Sequence, residues 1–265
     1  RCLNQVDAFF SLKEPWILRR LADFKRSLGK EMTPKQWKTL FVNYNRLLAK
    51  NYSSGRVPVI KATNVANNLL VDVLKHLPDS RVLYLYSDLE SFLISNLKKT
   101  PETQKKMAGL LAGFLLDSDF GEKHPAYTNV NKFSFLQVCS LIWVVNMYSL
   151  QKAMSEEVAA NLRTLEMSEL LRDLPSAMGE VSRYFGHSCN AQEIRSMTNQ
   201  EVVARHAKDQ SQPFDTMLRS REASSILDQF GAEIKRTIKW IEPLVEALNI
   251  MPSIESRAVT SDRLP

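Results

Sequence analysis

The fold of this chain is indicated most clearly by residues 57–99, VPVIKATNVANNLLVDVLKHLPDSRVLYLYSDLESFLISNLKK. The first apolar run, residues 57–60, is short and rich in β-branched side chains, which predicts a strand. Leucines and valines then recur at helical spacing up to Leu77, a Pro-Asp turn follows, and residues 81–86 form a second apolar run. A strand, a helix and a strand in this order predict a βαβ unit, and hence a parallel sheet with a right-handed crossover.

Polar side chains follow both predicted strands at the points where the strands end. They are Lys61, Thr63 and Asn64 after the first strand, and Ser87, Asp88 and Ser95 after the second. Ligands of open α/β sheets bind in the crevice outside the carboxyl ends of the strands. The pattern therefore predicts where a site lies, but not what binds to it.

The composition is that of an ordinary globular protein. The chain has 265 residues, of which 44% are hydrophobic and 24% are charged, so it can form one large α/β domain or two small ones. Its formal net charge is +6. A mild positive excess fits an anionic ligand, but it is too weak to predict nucleic-acid binding.

The cysteines predict neither a disulfide framework nor a zinc site. Cys2, Cys139 and Cys189 show no CxxC pairing, and no histidine stands at a familiar metal-ligand spacing. We therefore expect reduced thiols in a cytoplasmic protein without a metal. No secretory signal is visible. The most apolar stretch, residues 133–150, contains several polar side chains, which favours a buried core helix over a membrane span.

The remaining elements follow from periodicity and from helix caps. A strand is predicted over residues 9–12, ending at Lys13-Glu14-Pro15, and another over residues 162–166. The predicted helices cover residues 17–28, 34–47, 101–116, 133–154, 167–184 and 220–247, with Gly186 ending the fifth. Irregular structure is predicted over residues 117–131 and 190–215. We expect one domain over residues 1–250 and a polar tail over residues 251–265.

Three segments resemble the sulfotransferase superfamily, especially its bacterial type with a P-loop-like nucleotide fold. FFSLKEPWIL (residues 9–18) is similar to the strand after the family's first helix. VPVIKATN and HLPDSRVLYLYSDLESFLIS (residues 57–64 and 76–95) are similar to its lysine, helix, Pro-Asp, strand, Arg-Asp-Pro and Ser run. LRTLEMSELLRDLPSAMGEVSRYFG (residues 162–186) is similar to its late strand, Leu-Leu-x-Asp-Pro turn and helix.

The resemblance implies a helix-rich α/β fold of the P-loop NTPase-like sulfotransferase type, a parallel sheet flanked by helices. Family members hold the 5′-phosphosulfate on a Gly/Ser/Thr-rich turn between the first strand and the first helix. The given sequence contains no such turn and starts within the helix that would follow it. Either the turn precedes Arg1 or this protein lacks it. We expect the former, because the first strand is central to the sheet and its loss would leave two neighbours unpaired.

The resemblance also implies a cofactor, 3′-phosphoadenosine 5′-phosphosulfate (PAPS), whose product is 3′-phosphoadenosine 5′-phosphate (PAP). Ser95 matches the family's phosphate-binding serine. Ser87 stands where the family has an arginine that contacts the 3′-phosphate, and a serine hydroxyl cannot supply that charge. Arg205 and Lys208 fall where related enzymes place a late basic loop over the nucleotide. We expect one of Lys98, Lys99, Arg205 and Lys208 to compensate for the missing arginine.

Sulfuryl transfer requires a base for the acceptor's proton and cations for the charge on the transferring group. Glu14 resembles the catalytic glutamate of glycan-modifying sulfotransferases and is predicted to be the base. Lys13 and Lys61 are predicted to supply the positive charge, and Lys61 alternatively to position the substrate. Lys13, Asn64 and His124 are predicted to contact the acceptor, and His124 is also a candidate for acid–base work. The simpler alternatives remain open at this point: Glu14 caps the following helix and Lys61 is a solvated loop lysine.

The expected function is transfer of a sulfuryl group from PAPS to a hydroxyl of a small molecule, a glycan or a lipid. One alternative is a degenerate, non-catalytic binding or scaffold protein, which Ser87 motivates. Another is a P-loop kinase relative, in which Asp88 would hold magnesium. We expect no nucleic-acid partner and no integral membrane span, and both a monomer and a homodimer remain open.

Overall fold

The computed structural model describes residues 2–28, 31–50, 55–199 and 216–259. This part of the chain is helix-rich and contains two small parallel sheets, which confirms the predicted α/β class. The chain divides into two compact units. The first unit contains residues 1–85, 160–215 and 257–265, and the second contains residues 86–159 and 216–256. Residues 1–250, predicted as one domain, thus contribute to both units.

Within the described residues, four strands form where the sequence predicts them: β1 (Phe9–Lys13), β2 (Val57–Lys61), β3 (Val82–Tyr86) and β4 (Leu162–Glu166). The predicted pairing is wrong for the described residues, because β2 and β3 do not join one sheet. Instead β1 pairs with β2 in parallel, and β3 pairs with β4. Strand pairing depends on contacts between distant parts of the chain, which the local pattern cannot specify.

The helices are, in chain order, α1 (Trp16–Leu28), α2 (Pro34–Leu48), α3 (Leu70–His76), α4 (Leu89–Leu97), α5 (Pro101–Gln104), α6 (Met107–Leu116), α7 (Phe120–Lys123), α8 (Phe135–Met154), α9 (Met167–Arg172), α10 (Leu174–Tyr184), α11 (Ala191–Thr198), α12 (Thr216–Leu248) and α13 (Ile250–Glu255). Short 3₁₀ helices occupy Leu3–Gln5, Asn64–Leu69, Pro125–Tyr127, Val130–Lys132 and Ala159–Asn161.

The helix predicted over residues 167–184 is interrupted, for a reason that is visible locally. Asp173 leaves the helical conformation, and its carboxylate accepts from the Ser176 backbone N–H at 3.2 Å, which makes it the N-cap of α10. Proline in the first turn favours the start of a new helix here. Likewise α11 lies in a region predicted as irregular, because Asn190 and Glu193 form a capping box that starts it.

The core of the first unit is built around a buried carboxylate. Asp72 on α3 accepts from the Trp37 indole N–H of α2 at 2.7 Å and from the Lys25 ammonium of α1 at 2.6 Å. Apolar side chains pack around Trp37, among them Leu21 and the fully buried Phe41. The carboxylate therefore joins three helices whose apolar faces form one cluster.

The second unit is centred on α8, which contacts α4, α6, α12 and α13. Ser134 begins α8 with a capping box to Gln137, and the helix is buried along most of its length. The prediction of a buried core helix is thus confirmed. Among the described residues, no helix combines the length and the apolar character that a membrane span requires.

The segment predicted as a polar tail is ordered in its first part. It starts within α13, and residues 257–259 then run beside β4. The Thr164 N–H donates to the Arg257 carbonyl and the Val259 N–H donates to the Thr164 carbonyl, both at 2.9 Å. The Val259 side chain is fully buried, so an apolar contact also holds residues 257–259 beside β4. Residues 260–265 lie outside the described residues.

Gly186 ends α10 as predicted, with φ at +93°. The Gly186 N–H donates to Arg183 O at 2.9 Å and the His187 N–H donates to Ser182 O at 3.0 Å, which is the Schellman arrangement. We expect Gly186→Ala to lower the free energy of unfolding by about 1–2 kcal/mol, because the left-handed conformation penalises a Cβ. Urea denaturation followed by circular dichroism measures this change.

Gly179→Ala is the matched control, because Gly179 lies within the same helix at ordinary helical angles. A Cβ there meets the Ile194 side chain at 3.6 Å, an ordinary contact. This variant is expected to be as stable as the parent or more stable, by up to about 1 kcal/mol. Equal destabilisation by both substitutions would contradict the assigned role of Gly186.

Candidate functional site

Strands β1 and β2 end at the same point of their shared register. The strands pair from Phe9 opposite Val57 to Lys13 opposite Lys61. Beyond the last pair, the Glu14 backbone N–H donates to the Lys61 carbonyl at 2.7 Å. Residues that follow two strands at distant points of the sequence are therefore adjacent, as expected where parallel strands end together.

Glu14 and Lys61, the two residues predicted to be catalytic, form an ion pair. The Lys61 Nζ donates to the Glu14 Oε1 at 2.8 Å. Glu14 has a φ of +48°, in the left-handed region that a residue other than glycine rarely adopts. The Lys61 carbonyl and the ion pair hold it there. Strained backbone of this kind occurs preferentially at functional sites.

The ion pair is open to solvent, since the Glu14 side chain is 39% exposed and the Lys61 side chain is 61% exposed. Exposed pairs contribute at most about 1 kcal/mol to folding, so stability is a weak reason for holding Glu14 in a strained conformation. The arrangement does offer a carboxylate and an ammonium side by side to a molecule in solution. Such a pair can remove a proton and neutralise a developing negative charge.

Lys13 and Asn64, which are predicted to contact the acceptor, are close to this pair in the sequence. Lys13 is the last residue of β1 and is the direct register partner of Lys61, so two lysines and one glutamate gather at one strand end. Asn64 is exposed and starts the 3₁₀ helix after β2, where its side-chain oxygen accepts from the Thr63 hydroxyl at 3.3 Å.

Ser87 and Ser95, the predicted cofactor contacts, belong to the second unit. The Ser87 carbonyl accepts from the Trp143 indole N–H at 2.8 Å, which fixes the backbone where β3 ends. Asp88 then caps α4 by accepting from the Ser91 N–H at 2.8 Å. Ser95 lies further along α4 and is exposed. Arg205 and Lys208 lie outside the described residues, and their predicted role stays a prediction.

His124, the third predicted acceptor contact, packs in the second unit against the rings of Phe120 and Tyr148, at centroid distances of 4.8 and 6.4 Å. Sequence reasoning missed the charged cluster beside it. Asp119 accepts from Lys152 Nζ at 2.8 Å, from Lys123 Nζ at 2.9 Å and from the Tyr148 hydroxyl at 3.1 Å. In the sequence, only the i,i+4 spacing of Asp119 and Lys123 indicates one of these contacts, their ion pair.

The Lys152 ammonium, with Lys123 and Tyr148, holds the pKa of Asp119 well below its ordinary 3.8. The unfolded chain therefore takes up a proton at a higher pH than the folded chain. The stabilisation is complete above about pH 4 and is lost as the pH falls further. We expect Asp119→Asn to cost about 1–2 kcal/mol at pH 6, and the difference from the parent to shrink below pH 4.

Urea denaturation of both proteins over this pH range tests the prediction. Glu122→Gln, which changes an exposed carboxylate of α7, is the control and should leave the pH dependence unchanged. A constant difference between Asp119→Asn and the parent from pH 6 down to pH 3 would contradict it.

A group of potential metal ligands that the sequence pattern did not indicate lies between α10 and the first turn of α11. Sequence reasoning found no histidine at a metal-ligand spacing, yet the structure gathers His187, Cys189 and Glu193, with their ligand atoms within 4.8 Å of one another. The spacing H-x-C-x₃-E was the available signal. Gly186 ends α10 and Asn190 caps α11, so the residues between them form a tight turn. This turn brings the three side chains together.

Comparisons with known proteins add no assignment to this geometry. The chain matches no family model, no curated protein and no solved structure.

Proposed function

We propose that the protein transfers a sulfuryl group from PAPS to a hydroxyl of a small molecule, a glycan or a lipid. The observation that carries the proposal is the Glu14–Lys61 pair at the shared carboxyl end of two parallel strands. The resemblance to sulfotransferases assigns a catalytic role to each of these residues. Their contact across 47 positions is what such a shared role would require.

In the proposed reaction, Glu14 accepts the proton of the acceptor hydroxyl. The acceptor oxygen forms a new bond to sulfur as the bond between sulfur and the bridging phosphate oxygen breaks, and PAP leaves. Lys61 and Lys13 offset the negative charge on the transferring group. Asn64 is assigned to the acceptor. The assignments of His124 to the acceptor and of Ser87, Ser95, Arg205 and Lys208 to the nucleotide stay predictions from the sequence.

The kinase alternative is less well supported. It assigns Asp88 to magnesium, but the Asp88 carboxylate accepts from the Ser91 N–H and caps α4. A non-catalytic binding protein remains the principal competitor, because Ser87 stands where the family has an arginine.

Calorimetric titration of the full chain with PAP, followed by transfer assays with PAPS and phenolic, glycan and lipid alcohols, tests the function. Saturable one-to-one binding and transfer to one acceptor class are expected. Binding without transfer would favour the non-catalytic alternative. An absence of binding at millimolar PAP would exclude the proposal.

Ser87→Arg should tighten PAP binding by about tenfold or more, because a charge-assisted contact to phosphate contributes about 1.5–3 kcal/mol. The backbone contact of Ser87 to Trp143 involves only its carbonyl, so the substitution leaves that contact in place. Ser91→Arg, one turn into α4, serves as the control for added charge. Equal gains from both variants would contradict a specific role at position 87.

A further inference from the structure

The segment between α10 and α11 gathers three side chains with metal-ligating atoms. They are the His187 imidazole, the Cys189 thiol and the Glu193 carboxylate, and their ligand atoms lie within 4.8 Å of one another. Among the residues that the structure describes, this is the single group of three or more such side chains. The proposed sulfuryl transfer does not use any of them.

The separation of the ligand atoms suits a small divalent cation. His187 Nε2 lies 3.1 Å from Glu193 Oε1. In a tetrahedral zinc site, bonds of about 2.0–2.3 Å to nitrogen, oxygen and sulfur place neighbouring ligand atoms roughly 3.4–3.6 Å apart. A shift of a few tenths of an ångström would therefore let an ion enter between the imidazole and the carboxylate.

The surrounding structure orients each ligand. Glu193 Oε2 accepts from the Asn190 N–H at 2.9 Å, which leaves Oε1 directed at His187. The backbone of His187 is fixed by the bond of its N–H to Ser182, and its ring packs edge-on against Phe9 at 5.7 Å. Outer contacts of this kind hold metal ligands in place and support binding.

The third ligand lies at the border of an apolar cluster. Cys189 is half-buried and packs against the cluster that contains Phe9 and Met197. The side chains of His187 and Glu193 are 31% and 28% exposed, so solvent reaches the group from one side. Three protein ligands with one open position match the zinc coordination in which water completes the tetrahedron.

We propose that His187, Cys189 and Glu193 bind one Zn²⁺ ion, with water as the fourth ligand. Imidazole and thiolate are ligands that zinc prefers and that magnesium and calcium do not. On binding, the thiol releases its proton to solvent. The ion would stabilise the turn between α10 and α11. It would thereby also hold the His187 ring in its contact with Phe9 of β1. This inference is independent of the proposed function.

Titration of the chelator-treated, reduced full chain with Co²⁺ tests the site spectroscopically. We expect one ion per chain, intense visible bands of tetrahedral cobalt and a thiolate-to-cobalt charge-transfer band, all displaced by Zn²⁺. Excess Zn²⁺ should raise Tm by several degrees, because the ion binds the folded state. Weak octahedral bands, or the absence of the thiolate band, would overturn the proposal.

Variants identify the ligands. Cys189→Ser should abolish the charge-transfer band, and His187→Gln and Glu193→Gln should each weaken binding at least tenfold. Glu193→Gln keeps an oxygen for the Asn190 N–H and so preserves the capping box, which makes it decisive if another variant fails to fold. Cys2→Ser, which removes the other half-buried thiol, is the control. Retention of the band in Cys189→Ser, or its loss in Cys2→Ser, would overturn the proposed ligand set.

Discussion

Glu14→Gln is expected to lower kcat for sulfuryl transfer by about 10²–10⁴-fold, because the amide cannot accept the proton of the acceptor hydroxyl. The substitution preserves the size of the side chain and leaves an oxygen that can still accept from Lys61 Nζ, 2.8 Å away. PAP affinity should change little, since the proposal assigns Glu14 to the acceptor. Steady-state kinetics with PAPS and calorimetry with PAP measure the two effects separately.

The same two strands provide a matched control. Asp7 and Arg56 precede β1 and β2 and form an exposed ion pair at 3.4 Å, at the amino ends of the strands. Asp7→Asn removes a carboxylate with a comparable exposed partner, and it should leave kcat within about twofold of the parent. An unchanged kcat in Glu14→Gln, or an equal loss in Asp7→Asn, would contradict the role of Glu14 as the base.

Asp72→Ala is expected to lower the free energy of unfolding of the first unit by about 2–4 kcal/mol. The substitution leaves the Trp37 indole N–H buried without its acceptor, in a cluster that joins three helices. It also removes one of two acceptors of the Lys25 ammonium, which keeps its bond to the Asn68 carbonyl at 2.7 Å. Part of the cost is relieved because the Lys25 side chain is 34% exposed and can turn to solvent. Urea denaturation followed by circular dichroism measures the loss.

Asp23→Ala is the control for this experiment. Asp23 also lies in the first unit and pairs with Arg26 at 3.2 Å, but its side chain is 43% exposed. Exposed pairs of this kind contribute less than about 1 kcal/mol. Asp72→Asn should fall between the two, because an amide oxygen can still accept from Trp37. A loss in Asp72→Ala no larger than that in Asp23→Ala would show that the buried network is not stabilising.

Local signals in the sequence predicted much of the secondary structure. Thr33 and Gln36, and likewise Ser134 and Gln137, form the capping boxes that start α2 and α8. Apolar runs marked each strand that the structure describes, and Gly186 ends α10 with the expected positive φ. These features depend on residues a few positions apart, so a single sequence contains the information.

Local capping signals also mark the start of α11 and the interruption before α10, but the patterns of the surrounding sequence predicted other structure there. Asn190 and Glu193 have the spacing of a capping box within a polar stretch whose lack of apolar periodicity favoured irregular structure. Asp173 precedes a Leu-Pro pair within a continuous helical pattern. Caps in both places are local interactions that outweigh weak periodicity.

The candidate site depends on both the local sequence and the tertiary structure. The identity of Glu14 and Lys61, and their places after two strands, came from the sequence, whereas their contact at 2.8 Å depends on the register of β1 against β2. The group formed by His187, Cys189 and Glu193 depends on two helix ends that meet in one turn. No periodicity in the sequence specifies either arrangement.

By itself, then, the sequence determined the α/β class, the position of each strand and the residue types available for chemistry at the strand ends, because these follow from short-range periodicity and capping. Only the tertiary structure decided that β2 pairs with β1 and that Glu14 contacts Lys61. It also decided that the chain divides into two compact units. Such pairings follow from the packing of side chains distant in sequence, whose combined free energy no local pattern records.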